Sequence, residues 1–140
     1  MIAVDASLAV KWYFDEELSG EAEDVLFEHL GDIAVPDIFI AEVTGALVRL
    51  ANIDKTKRRE SEAAIARFMG LFETAALTAV RSEPESIAHA AILALDLGHP
   101  LKDCIYLALA IEQECPLYTC DARFAAKAKA AWAGVRMLGE

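Results

Sequence analysis

Short, wholly apolar runs alternate along the chain with longer stretches in which apolar residues recur at helical spacing. The first run, Ile2-Ala3-Val4, predicts a buried strand, and a helix follows through Leu8-Ala9-Val10-Lys11-Trp12-Tyr13. Ser19-Gly20-Glu21-Ala22 opens a second helix with Ala22, Val25, Leu26 and Leu30 on one face, and Gly31-Asp32 stops it. Ile33-Ala34-Val35 predicts a second strand, cut off by Pro36. Asp37 predicts the N-cap of a helix over 38–51, and Asn52-Ile53-Asp54 a turn. The next helix spans 55–72 and carries Ile65, Phe68, Met69 and Phe72 on one face, as core or as a dimer contact. A third strand is predicted over 76–80. Ser82 and Glu85, at capping-box spacing, then open a helix through Leu97 that Gly98-His99-Pro100 ends. A helix over 101–114, a strand at Leu117-Tyr118-Thr119, a helix over 122–131 and a strand over 135–138 complete the chain.

The strands are apolar throughout rather than alternating. That pattern predicts a sheet buried on both faces, hence an α/β fold with a mainly parallel central sheet sandwiched between helices. With 140 residues and no linker, repeat or low-complexity tract, residues 1–140 read as one domain.

Composition sharpens this picture. A hydrophobic content of 56% supplies a core that needs neither disulfides nor a structural metal. No apolar run approaches the ~20 residues of a membrane span, and the N-terminus lacks the pattern of a signal peptide, so a soluble cytoplasmic protein is expected. Cys104, Cys115 and Cys120 are odd in number and form no C-x-x-C, which indicates buried small hydrophobes rather than a disulfide or zinc framework. The net charge of −10 argues against generic binding to nucleic acid. It leaves room for a nuclease, because a bound divalent cation and a local basic patch reverse the field at a site. Lys55, Lys57, Arg58 and Arg59 form one such cluster, a candidate RNA contact or simply a solvated helix start, and Arg123, Lys127 and Lys129 a looser one.

Four acids interrupt apolar segments. Asp5 ends the first strand, Glu42 falls within Ile38-Phe39-Ile40-Ala41-Glu42-Val43, Asp103 precedes Cys104-Ile105-Tyr106-Leu107-Ala108, and Asp121 lies just past the Leu117-Tyr118-Thr119 strand. Ligands in open α/β sheets bind beyond the carboxyl ends of strands, so Asp5 and Asp121 are expected to face one crevice. Carboxylates about 4 Å apart repel by roughly 4 kcal/mol at an effective dielectric near 20. A cluster of them therefore calls for a hard cation such as Mg²⁺ or Mn²⁺, the chemistry of a metal-dependent phosphodiesterase. Each acid also has an ordinary reading. Asp5 and Asp121 suit N-caps, Asp103 suits the positive end of a helix, and Glu42 suits the edge of an apolar stripe. Ser7 and Thr119 stand two residues from Asp5 and Asp121, where their hydroxyls orient the carboxylates or bond locally in turns. Lys11, one turn beyond Ser7, is a candidate phosphate contact, a partner for a carboxylate, or a solvated lysine. His29, His89 and His99 share no ligand spacing, and no glycine-rich phosphate loop is present.

In four segments the chain resembles PIN-domain ribonucleases, specifically the VapC-type toxins of toxin–antitoxin pairs. The segments are Val4-Asp5-Ala6-Ser7-Leu8-Ala9-Val10-Lys11-Trp12, Val35-Pro36-Asp37-Ile38-Phe39-Ile40-Ala41-Glu42-Val43, Leu101-Lys102-Asp103-Cys104-Ile105-Tyr106-Leu107-Ala108-Leu109-Ala110 and Leu117-Tyr118-Thr119-Cys120-Asp121-Ala122-Arg123-Phe124. Each motif is weak by itself; four in order over nearly the whole chain are specific. Lys102 departs from the pattern, since relatives often carry an aromatic or other uncharged residue there. The resemblance implies Mg²⁺ or Mn²⁺ held by Asp5, Glu42, Asp103 and Asp121, and hydrolysis of RNA phosphodiesters. In that reading Asp5, Asp103 and Asp121 are the main ligands, and Glu42 binds a metal or orients the attacking water. It also implies a homodimer and a small VapB-like antitoxin whose C-terminal segment covers the site. Two alternatives stand beside it. One is a catalytically silent PIN-fold module that docks antitoxin or RNA without cleaving it. The other is a phosphotransferase or phosphatase using Asp5 as nucleophile, chemistry that wants a second acid where Ser7 stands.

Overall fold

The computed structural model describes residues 1–140. Five strands form one sheet: β1 (Ile2–Val4), β2 (Ile33–Pro36), β3 (Leu77–Val80), β4 (Leu117–Thr119) and β5 (Val135–Met137). The spatial order is β3-β2-β1-β4-β5, and every pairing is parallel. The expected parallel sheet is thus present, and it is parallel without exception. Ala3 lies opposite both Ala34 of β2 and Leu117 of β4, which puts β1 at the centre. β1 and β2 are buried along their whole length, and this accounts for their unbroken apolar sequences.

Seven α-helices connect the strands: α1 (Ala6–Ala9), α2 (Ser19–Glu28), α3 (Ile38–Ile53), α4 (Arg58–Glu73), α5 (Pro84–Leu97), α6 (Leu101–Glu112) and α7 (Ala122–Ala128). An aromatic cluster joins α3, α4 and α6. Phe39 meets Phe68 at 5.6 Å and Tyr106 at 6.4 Å between ring centroids, and Phe68 meets Phe72 at 5.4 Å and Tyr13 at 6.0 Å. Phe68 is fully buried, with Ile65, Met69 and Phe72 packed around the same core, so the predicted stripe of α4 is an interior face.

Several local expectations are corrected. The first helix is a single α-turn that tightens into a 3-10 segment at Val10–Trp12. α2 ends at Glu28, so Leu30 leaves the helical face and is exposed. Pro36 does not cut off β2 but is its last residue, where a missing N–H is tolerated. α3 continues to Ile53, through most of the predicted turn, and α7 stops at Ala128. Asp37 does not cap α3 with its side chain, and Ser82 does not cap α5. They bond each other instead: the Ser82 hydroxyl and N–H donate to the Asp37 carboxylate at 2.7 and 3.2 Å, tying the ends of β2 and β3 together. Pro84, pre-set for the first helical turn, starts α5 without a side-chain cap.

Candidate active site

The chain runs from β1 outward to β2 and β3, then crosses to β4 and β5 on the other side of β1. The carboxyl ends of β1 and β4 therefore flank the point where strand order reverses, the place where open α/β sheets bind ligands. An open cleft of ≈ 320 Å³ lies there, lined by Asp5, Ser7, Glu42, Lys102, Asp103, Tyr106 and Asp121 among others. All four acids read from the sequence come to this one cleft. Each arrives on a different element: Asp5 at the end of β1, Glu42 on the second turn of α3, Asp103 in the first turn of α6, and Asp121 at the start of α7.

Asp5 is the most enclosed of the four, only 5% exposed. The Ser7 hydroxyl donates to one of its oxygens at 2.7 Å, the Thr119 hydroxyl to the other at 2.5 Å, and the Leu8 N–H to the first at 3.2 Å. Burial pushes its carboxyl up from 3.8 to about 6, against the opposing pull of the Thr119, Ser7 and Leu8 hydrogen bonds. Thr119 is wholly buried, and its oxygen also accepts the Asp121 N–H at 3.0 Å. Ser7 accepts the Cys120 N–H at 3.0 Å. Two hydroxyls thus stitch the end of β1 to the end of β4 and fix the Asp5 carboxylate between them.

The other three acids are held differently. Asp121 caps α7 by accepting the Phe124 N–H at 3.0 Å. Asp103 lies 2.7 Å from Nε2 of His99, whose buried ring stacks on Phe124 at 5.1 Å. Glu42 accepts the Tyr106 hydroxyl at 2.7 Å on one oxygen and faces the Lys102 ammonium at 3.2 Å on the other. Burial, followed by the hydrogen bond to Glu42, keeps the Tyr106 phenol firmly protonated and a donor. The capping readings of Asp5 and Asp121 hold together with their place in the cleft, since each carboxylate bonds a helix N–H with one oxygen only.

As the side chains stand, no three His, Cys, Asp or Glu residues converge closely enough to hold a metal ion. Two of the acids are engaged by partners of their own, Glu42 by Lys102 and Asp103 by His99. The donor set nevertheless fits a hard divalent cation. The lining offers carboxylate and hydroxyl oxygens with no thiolate or imidazole among them, and Mg²⁺ keeps several waters while taking only one or two carboxylates directly. Asp5, buried and without a cationic partner within ion-pair distance, is the group that such an ion would compensate.

Some predicted residues lie elsewhere. Lys11 donates to Glu16 at 3.1 Å and to the Glu17 carbonyl at 2.9 Å, outside the cleft lining. Lys55, Lys57, Arg58 and Arg59 sit beyond the far end of α3, about 20 Å along the helix from Glu42 at 1.5 Å per residue. Lys57 pairs there with Glu60, and Arg58 with Glu62. The sequence reading missed His99 and Tyr106 as partners of the acids. The available signal was chemical: a tyrosine inside an unbroken buried run needs an acceptor for its hydroxyl.

Comparison with known proteins agrees with this fold. A family model described as the PIN domain matches residues 2–130. No curated protein matches the sequence. Among solved structures, PAE2754 from Pyrobaculum aerophilum superposes with a TM-score of 0.74 at 20% identity, over 98% of this chain and 88% of its own. VapC20 of Mycobacterium tuberculosis, described as a sarcin-ricin loop cleaving toxin, gives 0.70 at 15% identity over 90% and 94%. A toxin–antitoxin complex from Klebsiella pneumoniae gives 0.69 at 16% identity over 100% and 99%. These likenesses are likenesses of fold; with the family match spanning nearly its whole length, this chain belongs to the PIN domain family.

Proposed function

We propose that this protein is a divalent-metal-dependent endoribonuclease acting as the toxin of a type II toxin–antitoxin pair. The observation that carries the reading is the arrival of Asp5, Glu42, Asp103 and Asp121, from four separate elements, at one cleft at the strand-order reversal of a PIN domain. Asp5, Asp103 and Asp121 would hold Mg²⁺ or Mn²⁺, directly or through water. When bound, the ion would supply an acidified water and neutralise charge on the phosphate. The chain's own residues do the rest. Ser7 and Thr119 keep Asp5 oriented toward the cleft, and His99 keeps Asp103 in place. Glu42 would orient the attacking water and take its proton as the water oxygen bonds to phosphorus; the ester P–O bond in line with it breaks, and the released ribose oxygen takes a proton from solvent. The fold shared with VapC20 and with the Klebsiella pneumoniae toxin–antitoxin complex supports RNA as substrate and a cognate antitoxin as partner. Ile92, Leu95 and Leu101, exposed on α5 and α6, offer apolar surface to a second copy in a homodimer.

The test is cleavage of total RNA by purified protein with Mg²⁺, with Mn²⁺ and with EDTA, beside Asp5→Asn. Discrete fragments that require both metal and Asp5 are expected, with at least about a 10³-fold loss in the variant. Equal cleavage in EDTA, or by Asp5→Asn, would refute the reading. RNA contact by the distal basic cluster has its own test. Charge reversal at Lys55 and Arg59, the two without an acidic partner, should weaken RNA binding at low salt and matter less at high salt. Unchanged low-salt affinity removes the cluster from the RNA path.

One observation favours a second reading, a PIN module that docks partners without cleaving. Each acid is already bonded within the protein, and no three converge. Mn²⁺ titration separates the two, since the docking module binds no ion in the cleft.

A further inference from the structure

Lys102 is the residue of the cleft that the metal-nuclease reading leaves without a task. It occupies the first turn of α6, a helix of 12 residues, beside Asp103. A cation there opposes the positive end of its own helix, so the local structure gives no reason for a lysine. Its side chain reaches across to α3, where the ammonium lies 3.2 Å from Glu42. It lines the acid cleft and also the open groove beside it, to which Ala6, Ala41, Gly45, Ala46 and Arg49 contribute. Glu42 has both oxygens engaged, one by the Tyr106 hydroxyl and the other by Lys102. A divalent ion on that second oxygen would stand against the ammonium and be repelled by it.

We propose that Lys102 is a built-in cation of this site: it holds the Glu42 corner of the cleft in place of a second metal ion and, when RNA binds, contacts a non-bridging oxygen of the scissile phosphate. The proposal rests on the metal-dependent nuclease reading. Lys102 is 63% exposed, so its pair with Glu42 is readily exchanged, and a phosphate entering from the groove can take the ammonium over. Lysine suits this task because it is a compact point charge on a flexible stem. Its part is electrostatic; it gives up no proton and forms no bond. The site so described takes one ion, served by Asp5, Asp103 and Asp121, with Glu42 left free as proton acceptor once Lys102 has moved to the phosphate.

The test titrates metal-free wild type, Lys102→Met and Lys102→Arg with Mn²⁺, counting bound ions by electron paramagnetic resonance, and then compares cleavage of one oligoribonucleotide. The exposed position makes a folding defect in either variant avoidable, and circular dichroism checks it. One tight ion per chain is expected in the wild type and in Lys102→Arg, and a second ion, on Glu42, in Lys102→Met. Cleavage by Lys102→Met should fall by about 10²-fold in kcat with KM little changed, and Lys102→Arg should restore most of it. Two tight ions in the wild type, or wild-type kcat in Lys102→Met, would overturn the proposal while leaving the nuclease intact. A wild type that binds no Mn²⁺ and leaves RNA whole fails at the nuclease reading itself, and this role for Lys102 goes with it.

Discussion

Asp5 is asked to be buried and charged at once. Three hydrogen bonds favour its carboxylate, yet burial outweighs them and raises its carboxyl to about 6. The fold therefore prefers the protonated form. Asp5 adds stability that is fully present below its unfolded value of 3.8 and is lost as pH rises through about 6. A shift of two units corresponds to about 3 kcal/mol. In EDTA, the melting temperature of Asp5→Asn minus that of wild type should therefore grow as pH is raised across this window. A difference that stays flat would mean that Asp5 feels no such burial. His99 belongs to the same scale. Its ring is clamped on Phe124 and its Nε2 holds Asp103, so His99→Ala should weaken Mn²⁺ binding by about 10–100-fold, as loss of a ligand's outer partner does. Unaltered Mn²⁺ affinity would reduce His99 to packing. The four acids were legible in the sequence because each breaks an apolar run. His99 was not, because its relation to Asp103 depends on a loop that ends α5 with Gly98 in the left-handed region, φ +60.

Among the elements, α3 and α4 show what sequence pattern resolves and what it does not. The spacing of Ile65, Phe68, Met69 and Phe72 announced the buried face of α4, and that face packs as expected on Phe39 and Tyr13. The same cluster positions the site, because Phe39 lies one turn before Glu42 and touches the ring of Tyr106, which holds Glu42. Phe68→Ala should destabilise the protein by about 3–5 kcal/mol in urea unfolding. A loss below about 1 kcal/mol would show that α4 is not anchored through this ring. Helix ends were less legible. Asp37 and Ser82 each carry the local signature of a cap, but they are brought together across 45 residues and satisfy each other instead. A capping propensity is a local preference of modest size, and a long-range partner overrides it.

For the molecule as a whole, fold class was legible because uninterrupted apolar strands have one common solution, a parallel sheet covered on both sides. Strand order was not, since nothing in the pattern tells β3 to lie outside β2 while β4 crosses to the other edge of β1. That order also decides when the cleft can form. β1 is made first but sits at the centre, and one of the two hydroxyls that grip Asp5 comes from Thr119, 114 residues later. A chain still emerging from the ribosome holds Asp5, Glu42 and Asp103 yet lacks the strand that closes the site around them. Parallel sheets need such distant segments before they assemble. The topology thus sets the order of events: the pocket around Asp5 cannot close, nor Asp121 take its place in it, until nearly the whole chain has been made.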